Sequence, residues 1–205
     1  MHKLTELQQD ALIEAFNIGI GQAAANLSVI VREPVRLSVL SVQIVPFQEA
    51  CQQLGDNSAE RICAVSQRFS GSFEATGLLI FPEHQSLELV RLMLNESLSL
   101  QELTDLEQDA MSEIGNILLN ACTSAVARFF SSCLISSLPH YSLGSPQDIL
   151  QPHARETRDA VMLLHIDLLL EARQLRGMIA FLLNGVAMEQ LLGQISQFLT
   201  RLDIS

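Results

Sequence analysis

A fifteen-residue segment near the start of the chain recurs ninety-nine positions later, and this duplication constrains the possible folds more than any other feature. Residues 4–18 read LTELQQDALIEAFNI and residues 103–117 read LTDLEQDAMSEIGNI, with nine identical positions. Both copies contain Asp-x-x-x-Glu-x-x-Asn, and steps of four and three residues bring side chains onto one face of an α-helix. The six polar residues are Asp10, Glu14 and Asn17 in the first copy and Asp109, Glu113 and Asn116 in the second. The repeat therefore predicts two related helices that each present a carboxylate and an amide together.

Both copies open with a pattern that is typical of a helix start. Thr5 with Gln8, and Thr104 with Glu107, have the spacing of a capping box, which satisfies the first free amides of a helix. The apolar positions that follow have the period of a helix with one buried face. They are Ile13, Phe16, Ile20, Ala24 and Leu27 in the first helix, and Ile114, Ile117, Leu118, Ala121 and Ala125 in the second. We therefore expect helices to begin at both threonines and to bury the face opposite the Glu/Asn pair.

A β-rich section and a shorter helix follow each long helix. Alternation and β-branched residues predict strands at 35–45, at 61–69 with 74–81, and at 160–170 with 174–183, and closing helices are expected at about 83–94 and 186–199. Residues 144–158 contain two prolines and are predicted to be a loop. Gly77 and Phe81 recur as Gly177 and Phe181, so the repeat extends to the far end of the strand pairs.

These two halves predict an α+β fold built from a pseudo-two-fold duplicated helix–strands–helix unit. A half of about one hundred residues leaves an apolar sheet face uncovered, so the strands of both halves are expected to share one mainly antiparallel sheet. The long motif helices would then pack on that sheet with their Glu/Asn stripes outward. We predict a single domain over residues 1–205, made of two repeats at about 1–99 and 100–205.

Charge and composition exclude several classes of partner. The net charge is −11, with 12 basic and 23 acidic residues and no Lys/Arg cluster. Nucleic acids and anionic membrane surfaces both attract basic proteins, so neither is expected as a partner. The first ten residues lack the apolar core of a signal peptide, and no run of the sequence resembles a membrane span. We therefore predict a cytoplasmic protein without membrane insertion.

The residues that usually hold metals or cofactors show no matching pattern. The four cysteines form no C-x-x-C pair, and free buried thiols in a reducing compartment are expected at Cys51, Cys63, Cys122 and Cys133. The histidines lack metal-ligand spacing. Residues 19–24 match G-x-G-x-x-A, but they lie inside a helical pattern rather than after a strand. No cofactor or metal is predicted to bind this chain.

The asparagine inside each motif helix needs an explanation, because Asn is a poor helix former in a helix interior. Apolar positions differ between the copies, as at Phe16 and Gly115, whereas Asp, Glu and Asn are the same in both. An amide both donates and accepts hydrogen bonds, which suits it to orient a water. Positioning a water is a large part of catalysis in phosphoryl transfer. The alternative is that Glu and Asn only solvate an exposed helix face.

The helices resemble those of the CheC family of chemotaxis phosphatases, which includes CheX and FliY and has the motif Asp/Ser-x3-Glu-x2-Asn-x22-Pro. The second copy matches in full, through Asp109, Glu113, Asn116 and Pro139. The first copy shares the Asp, Glu and Asn and has the family-like string Asn-Ile-Gly-x-Gly, but Leu40 stands where the proline is expected. Asp10, Asp109 and Pro139 therefore count as supporting motif positions.

The resemblance implies a phosphatase that hydrolyses the phospho-aspartate of a CheY-like response regulator in chemotaxis or another two-component signalling pathway. Asn17 and Asn116 would orient the attacking water, and Glu14 and Glu113 would pair with the regulator's lysine. Mg²⁺ would belong to the response regulator, and CheD, a deamidase, is implied as a second partner.

Two other interpretations stay open. The chain could be a non-catalytic CheC-like adaptor that binds a response regulator or another signalling or flagellar protein, or it could be a structural dimerisation domain. Leu40, and Phe16 in place of the small residue before Asn17, predict that the first site is weaker than the second.

Overall fold

The computed structural model describes residues 4–54, 61–71, 74–94, 100–129, 134–153, 160–170 and 173–203. The described elements, in chain order, are α1 (Glu6–Val31), β1 (Val35–Val45), α2 (Phe47–Leu54), β2 (Ile62–Ser70), β3 (Ala75–Pro82), α3 (Glu83–Leu94), α4 (Leu100–Phe129), β4 (Ile135–Ser136), β5 (His140–Gly144), α5 (Pro146–Leu150), β6 (Ala160–Leu170), β7 (Arg173–Leu183) and α6 (Gly185–Asp203), with a 3₁₀ turn at Gln151–His153. The predicted α+β class is confirmed.

Strands from both halves form one sheet. Its order is β1-β6-β7-β3-β2, and both β4 and β5 pair with the free edge of β2. All of these pairs are antiparallel. The expectation of a shared, mainly antiparallel sheet is therefore confirmed.

The two halves exchange their first strands across this sheet. In the first half β1 pairs with β6 of the second half, and in the second half β4 and β5 pair with β2 of the first. The register repeats as well: Val45 lies opposite Val161, and Gly144 lies opposite Ile62. A shift of ninety-nine positions converts one pair into the other. The β2–β3 hairpin of the first half is extended by β4 and β5 of the second half, and the β6–β7 hairpin of the second half is extended by β1 of the first. Neither half therefore forms its part of the sheet from its own strands alone.

The Gly–Phe repeat explains how β3 and β7 meet at the centre of the sheet. Gly77 lies opposite Phe181, and a Cβ on Gly77 would lie 3.3 Å from the Phe181 ring. A Cβ on Gly177 would lie 2.6 Å from the Phe81 ring, closer than real atoms approach. Each phenylalanine therefore packs over the other repeat's glycine, and Gly177 has no room for a side chain.

The sheet is covered on both faces. Alternate residues of β3 point to opposite sides, so that Leu79 and Phe81 join the larger core whereas Leu78 and Ile80 join a smaller one. The larger core contains buried residues of α1, α3, α4 and α6, and the smaller core contains those of α2 and α5. The predicted apolar stripes are largely confirmed, since Phe16, Ile20, Ala24, Leu27, Ile114, Leu118 and Ala125 are buried.

The first capping box is confirmed and the second is wrong. Thr5 Oγ1 accepts from the Gln8 N–H at 3.2 Å, and the Gln8 side chain accepts from the Thr5 N–H at 3.0 Å. Helix α4 begins at Leu100, so Thr104 lies inside it and not at its start. Glu107 therefore falls well beyond the first turn. It is 1% exposed, and its Oε1 accepts a 2.6 Å hydrogen bond from Ser86 Oγ.

Three segments differ from the sequence prediction. The predicted loop at 144–158 contains α5 and the 3₁₀ turn. The helix forms because the Ser145 side chain accepts from the Asp148 N–H and Pro146 occupies the first helical turn. Residues 154–159 lie outside the described residues. Helix α2 was not predicted, and neither were β4 and β5. The strands at 35–45 and 160–170 and the helix at 83–94 have the predicted bounds.

Cys63 and Cys122 are free and buried, as predicted, whereas Cys51 is half-buried and Cys133 lies outside the described residues. None of the helices in the described ranges has the length and apolar character needed to cross a membrane.

Candidate functional site

The two motif helices, α1 and α4, pack against each other on the sheet. A Cβ on Gly19 would lie 2.9 Å from the Ala121 carbonyl oxygen and 3.0 Å from the Ala125 Cβ, so the absence of a side chain lets the helices approach. This packing brings both copies of the motif onto one layer of the molecule.

The carboxylates of the motif face solvent. Asp10 and Glu14 are exposed on α1, and Asp109 and Glu113 are exposed on α4. The asparagines, three residues after each glutamate, are half-buried instead. A partner at this surface would therefore meet a flexible carboxylate beside an amide that contacts the sheet.

In the first copy, Asn17 is held by the backbone of β1. The Val39 N–H donates to Asn17 Oδ1 at 2.8 Å. Because a backbone N–H can only donate, this contact fixes which end of the amide is oxygen. The Nδ2 group of Asn17 makes no hydrogen bond to any described residue, so its two N–H donors remain available.

In the second copy, a buried side chain takes the place of that backbone donor. Gln67 in β2 is 2% exposed, and its Nε2 donates to Asn116 Oδ1 at 2.9 Å. The same Nε2 donates to the Ser137 carbonyl oxygen at 2.9 Å, which can only accept. The nitrogen of Gln67 is thereby identified, and Asn116 must contact it through oxygen.

Asn120 adds a second donor to the same amide oxygen. Its Nδ2 lies 2.8 Å from Asn116 Oδ1 and 2.6 Å from the Asn116 carbonyl oxygen. Two donors engage both lone pairs of Oδ1. Gln67 and Asn120 were missed from the sequence, although Gln67 carried a signal: it occupies a core-facing position in an alternating strand, where Cys63, Val65 and Phe69 are its buried neighbours.

The motif proline and its substitute occupy equivalent irregularities in two strands. Val39 pairs with Ile166 and Ser41 pairs with His165, so Leu40 is an extra residue in β1. Pro139 lies in the corresponding break between β4 and β5. Proline has no N–H to offer a β-ladder and is tolerated at such bulges. The first copy forms the same bulge with Leu40, which is 53% exposed.

Phe16 and Gly115 precede the two asparagines and meet different surroundings. Phe16 is 1% exposed and stacks on Phe181, with ring centroids 6.3 Å apart. A Cβ on Gly115 would instead collide with the Val65 side chain. Phe16 thus packs into the core and leaves the helix surface that carries Glu14 open, so it gives no steric reason for a weaker first site.

A groove of about 470 Å³ runs beside the first motif. Its lining includes Leu7, Ile18 and Phe198 together with Asp10, Glu14 and Arg128. Leu7 and Ile18 are 55% and 57% exposed, so the groove combines accessible apolar surface with the motif carboxylates.

A buried polar cluster connects α4 to the strand after Pro139. Glu107 accepts a hydrogen bond from Ser86, and its carboxylate acts electrostatically on Tyr141, two residues after the proline. Burial is the main cause that raises the pKa of Tyr141, and the nearby Glu107 carboxylate adds to the effect. Burial likewise raises the pKa of Cys63 to about 12, so its thiol is neutral.

Within the described ranges, no three His, Cys, Asp or Glu side chains are grouped as a metal site would require.

No protein-family model matches the chain. Two Bacillus subtilis (strain 168) proteins are similar in sequence. CheY-P phosphatase CheC is 24% identical over 143 residues, which make up 68% of this chain and 68% of CheC. The flagellar motor switch phosphatase FliY is 22% identical over 142 residues, which make up 68% of this chain but 36% of FliY.

Two solved structures share the fold over nearly the whole chain. The Thermotoga maritima FliY structure has a TM-score of 0.76 and 16% identity, and the match covers 95% of this chain and 98% of that one. The middle domain of FliM from H. pylori has a TM-score of 0.65 and 14% identity, with 93% and 99% covered. The sequence similarity to CheC and FliY, together with the duplicated motif, supports a CheC-like family, and the two solved structures share the fold.

Proposed function

We propose that this chain is a phosphatase that hydrolyses the phospho-aspartate of a CheY-like response regulator. One observation carries the proposal: each motif helix presents an exposed glutamate one turn before an asparagine whose amide oxygen is already held by the sheet. The two N–H donors of each asparagine are therefore preorganised toward whatever covers the helix. The similarity to CheC, which is named a CheY-P phosphatase, supports the same reaction class.

The asparagines would act by positioning a water. One Nδ2 N–H can hold the water oxygen through one lone pair, which leaves the other lone pair free to face phosphorus. The new bond joins the water oxygen to phosphorus, and the bond from phosphorus to the aspartyl oxygen breaks. The aspartate leaves as a carboxylate, and the water proton goes to the phosphate product. Phosphoryl transfer depends mainly on such positioning and on charge stabilisation.

Glu14 and Glu113 would each seat the partner by pairing with the lysine of the regulator. Both carboxylates are exposed, so they can reach a partner without a change in the fold. Mg²⁺ would be supplied by the regulator, where it would neutralise the phosphoryl oxygens. A regulator that reaches Asn17 would also cover the apolar groove beside Glu14. A cytoplasmic location and CheD as a further partner belong to this proposal.

A second candidate is an adaptor that binds a response regulator or a flagellar component without turnover. Ile18 and Leu40 favour it at the first copy, because both are more than half exposed near Asn17. Exposed apolar side chains stabilise a complex without contributing to hydrolysis.

The experiment is a phosphate-release assay with regulators loaded by acetyl phosphate and Mg²⁺. Wild type, Asn17→Ala, Asn116→Ala and the double variant are compared, with Ser124→Ala on the exposed surface of α4 as the control. Loss of a preorganised hydrogen-bonding group at the reacting centre costs on the order of 10²-fold in rate. The double variant should therefore release phosphate no faster than the regulator alone. Turnover at the wild-type rate by the double variant would refute the asparagine assignment, and tight binding without turnover by wild type would favour the adaptor.

A further inference from the structure

The most unusual polar group near the motifs is the Gln67 side chain. It is 2% exposed in a strand whose neighbouring core-facing residues are apolar, and its Oε1 is buried without a hydrogen-bond partner in the described structure. Burying an amide oxygen without a hydrogen-bond partner is unfavourable, because the oxygen loses its hydrogen bonds to water. A leucine at this position would avoid that cost. The reason for an amide here is therefore the pair of hydrogen bonds that its nitrogen donates.

The nitrogen of Gln67 connects the motif helix to the strand segment that precedes Pro139. It donates to Asn116 Oδ1 and to the Ser137 carbonyl oxygen, each at 2.9 Å. Ser137 is itself fixed on β2, since its N–H donates to the Arg68 carbonyl oxygen at 2.8 Å. The amide of Gln67 thus sets the position of Asn116 relative to a rigid strand.

The first copy lacks both of the residues that hold Asn116. A shift of ninety-nine positions places Ile166 at the position of Gln67 and Gly21 at the position of Asn120. Asn17 Oδ1 consequently has one donor, Val39, and keeps a free lone pair. Asn116 Oδ1 has two donors and keeps none.

We infer that Gln67 and Asn120 are positioning residues that make Asn116 a hydrogen-bond donor only, whereas Asn17 can both donate and accept. The inference rests on the proposed phosphatase function and deepens it. At the second site, one Nδ2 N–H of Asn116 would hold the water and the other would point at a phosphoryl oxygen. The angle between the two N–H bonds would then set the direction in which the water attacks phosphorus. Rotation of the amide would move the water out of that line.

The test isolates the second site in the full chain by using an Asn17→Ala background. Gln67→Leu removes the donor while keeping a similar volume, and Gln67→Glu keeps the shape but offers Asn116 an acceptor instead. That acceptor would turn the Asn116 amide around, so that Nδ2 faces the strand. Because misplacement of a reacting group by about 1 Å can cost about 10²-fold, both variants should lower kcat about 10-fold or more with little change in KM. Asn120→Ala should lower kcat by less, since Gln67 still fixes the amide. Unchanged kcat in both Gln67 variants would overturn the inference.

The matched control is the same pair of substitutions in an Asn116→Ala background, where only the first site works. Turnover there should not fall further, because Asn17 is held by the backbone of β1. An equal fall in both backgrounds would indicate a general folding defect and overturn the positioning role. A second readout needs no turnover and uses Gln67→Leu in the otherwise wild-type chain, where both asparagines are present. The side-chain amide NMR signals of Asn116 should shift and broaden in this variant, while those of Asn17 stay in place. Absence of turnover in the parent with these NMR changes present would refute the phosphatase and retain the positioning role.

Discussion

The main-chain N–H of Val39 donates a 2.8 Å hydrogen bond to Oδ1 of Asn17 and so ties the first motif helix to the edge strand of the sheet. Because the donor belongs to the backbone, nearly any side chain at position 39 leaves it in place. The second copy has instead a side-chain donor, Gln67, which a single substitution removes. The amide oxygen therefore faces the sheet in both copies, but a substitution can remove the donor in the second copy more easily than in the first.

Asn17→Asp and Asn17→Ala should separate stability from activity. The aspartate can still accept from the Val39 N–H, whereas alanine leaves that donor unpaired, at a cost of about 1–3 kcal/mol. We expect a larger fall in the free energy of unfolding for Asn17→Ala, measured by urea titration. Both variants lack the Nδ2 donors, so both should lose first-site turnover in an Asn116→Ala background. Retained turnover in Asn17→Asp would contradict the donor role.

Leu40→Pro should restore the motif proline without disturbing the sheet. The β1–β6 pairing skips Leu40, and a proline that fits its backbone reduces the entropy of the unfolded chain. We expect the free energy of unfolding to stay the same or rise by up to about 1 kcal/mol. Val39→Pro, one position earlier, is the control, because it removes the donor to Asn17 and should lower both stability and first-site turnover. Equal destabilisation by the two prolines would show that Leu40 is not the bulged residue.

Regular alternation and helical period predicted most of the fold, because those patterns reflect burial on one face. The strand at 35–45 has its predicted bounds for this reason. The short strands β4 and β5 were missed because their sequence is polar or interrupted by Pro139, and their strandedness depends on pairing with β2. The false capping box at Thr104 shows that a local pattern does not fix a helix start when preceding residues extend the helix.

The candidate site was predictable only in the residues that recur. Asp, Glu and Asn stand at helical spacing within each copy, and the structure brings the glutamate and asparagine of each copy to one helix surface. The partners of the asparagines come from other elements, twenty-two residues away for Val39 and forty-nine for Gln67. The contact of Gln67 with Asn116 also crosses from one half to the other, and no local pattern encodes either contact.

Gly115→Ala should destabilise the protein, although alanine is the better helix former. A Cβ at this position collides with Val65 on β2, and overpacking of this kind typically costs about 1–3 kcal/mol. Gly21→Ala is the matched control on the other motif helix, because a Cβ there meets nothing within 4 Å. It should raise the free energy of unfolding by about 0.5–1 kcal/mol. Urea titration of both variants checks the pair, and a stabilised Gly115→Ala would show that α4 is farther from the sheet.

The buried thiols should make the fold sensitive to alkali. Burial raises the pKa of Cys122 from its ordinary 9.0 to about 12, so the folded state keeps a proton that the unfolded state loses. Between these values the unfolded chain binds fewer protons, and stability therefore falls as the pH rises, by about 1.4 kcal/mol per pH unit for a fully buried thiol. Below pH 9 the contribution is fully present. Cys122→Ala should show a shallower decline than wild type in urea titrations at pH 8, 9, 10 and 11, and equal slopes would show that the thiol ionises as readily in the folded state as in the unfolded one.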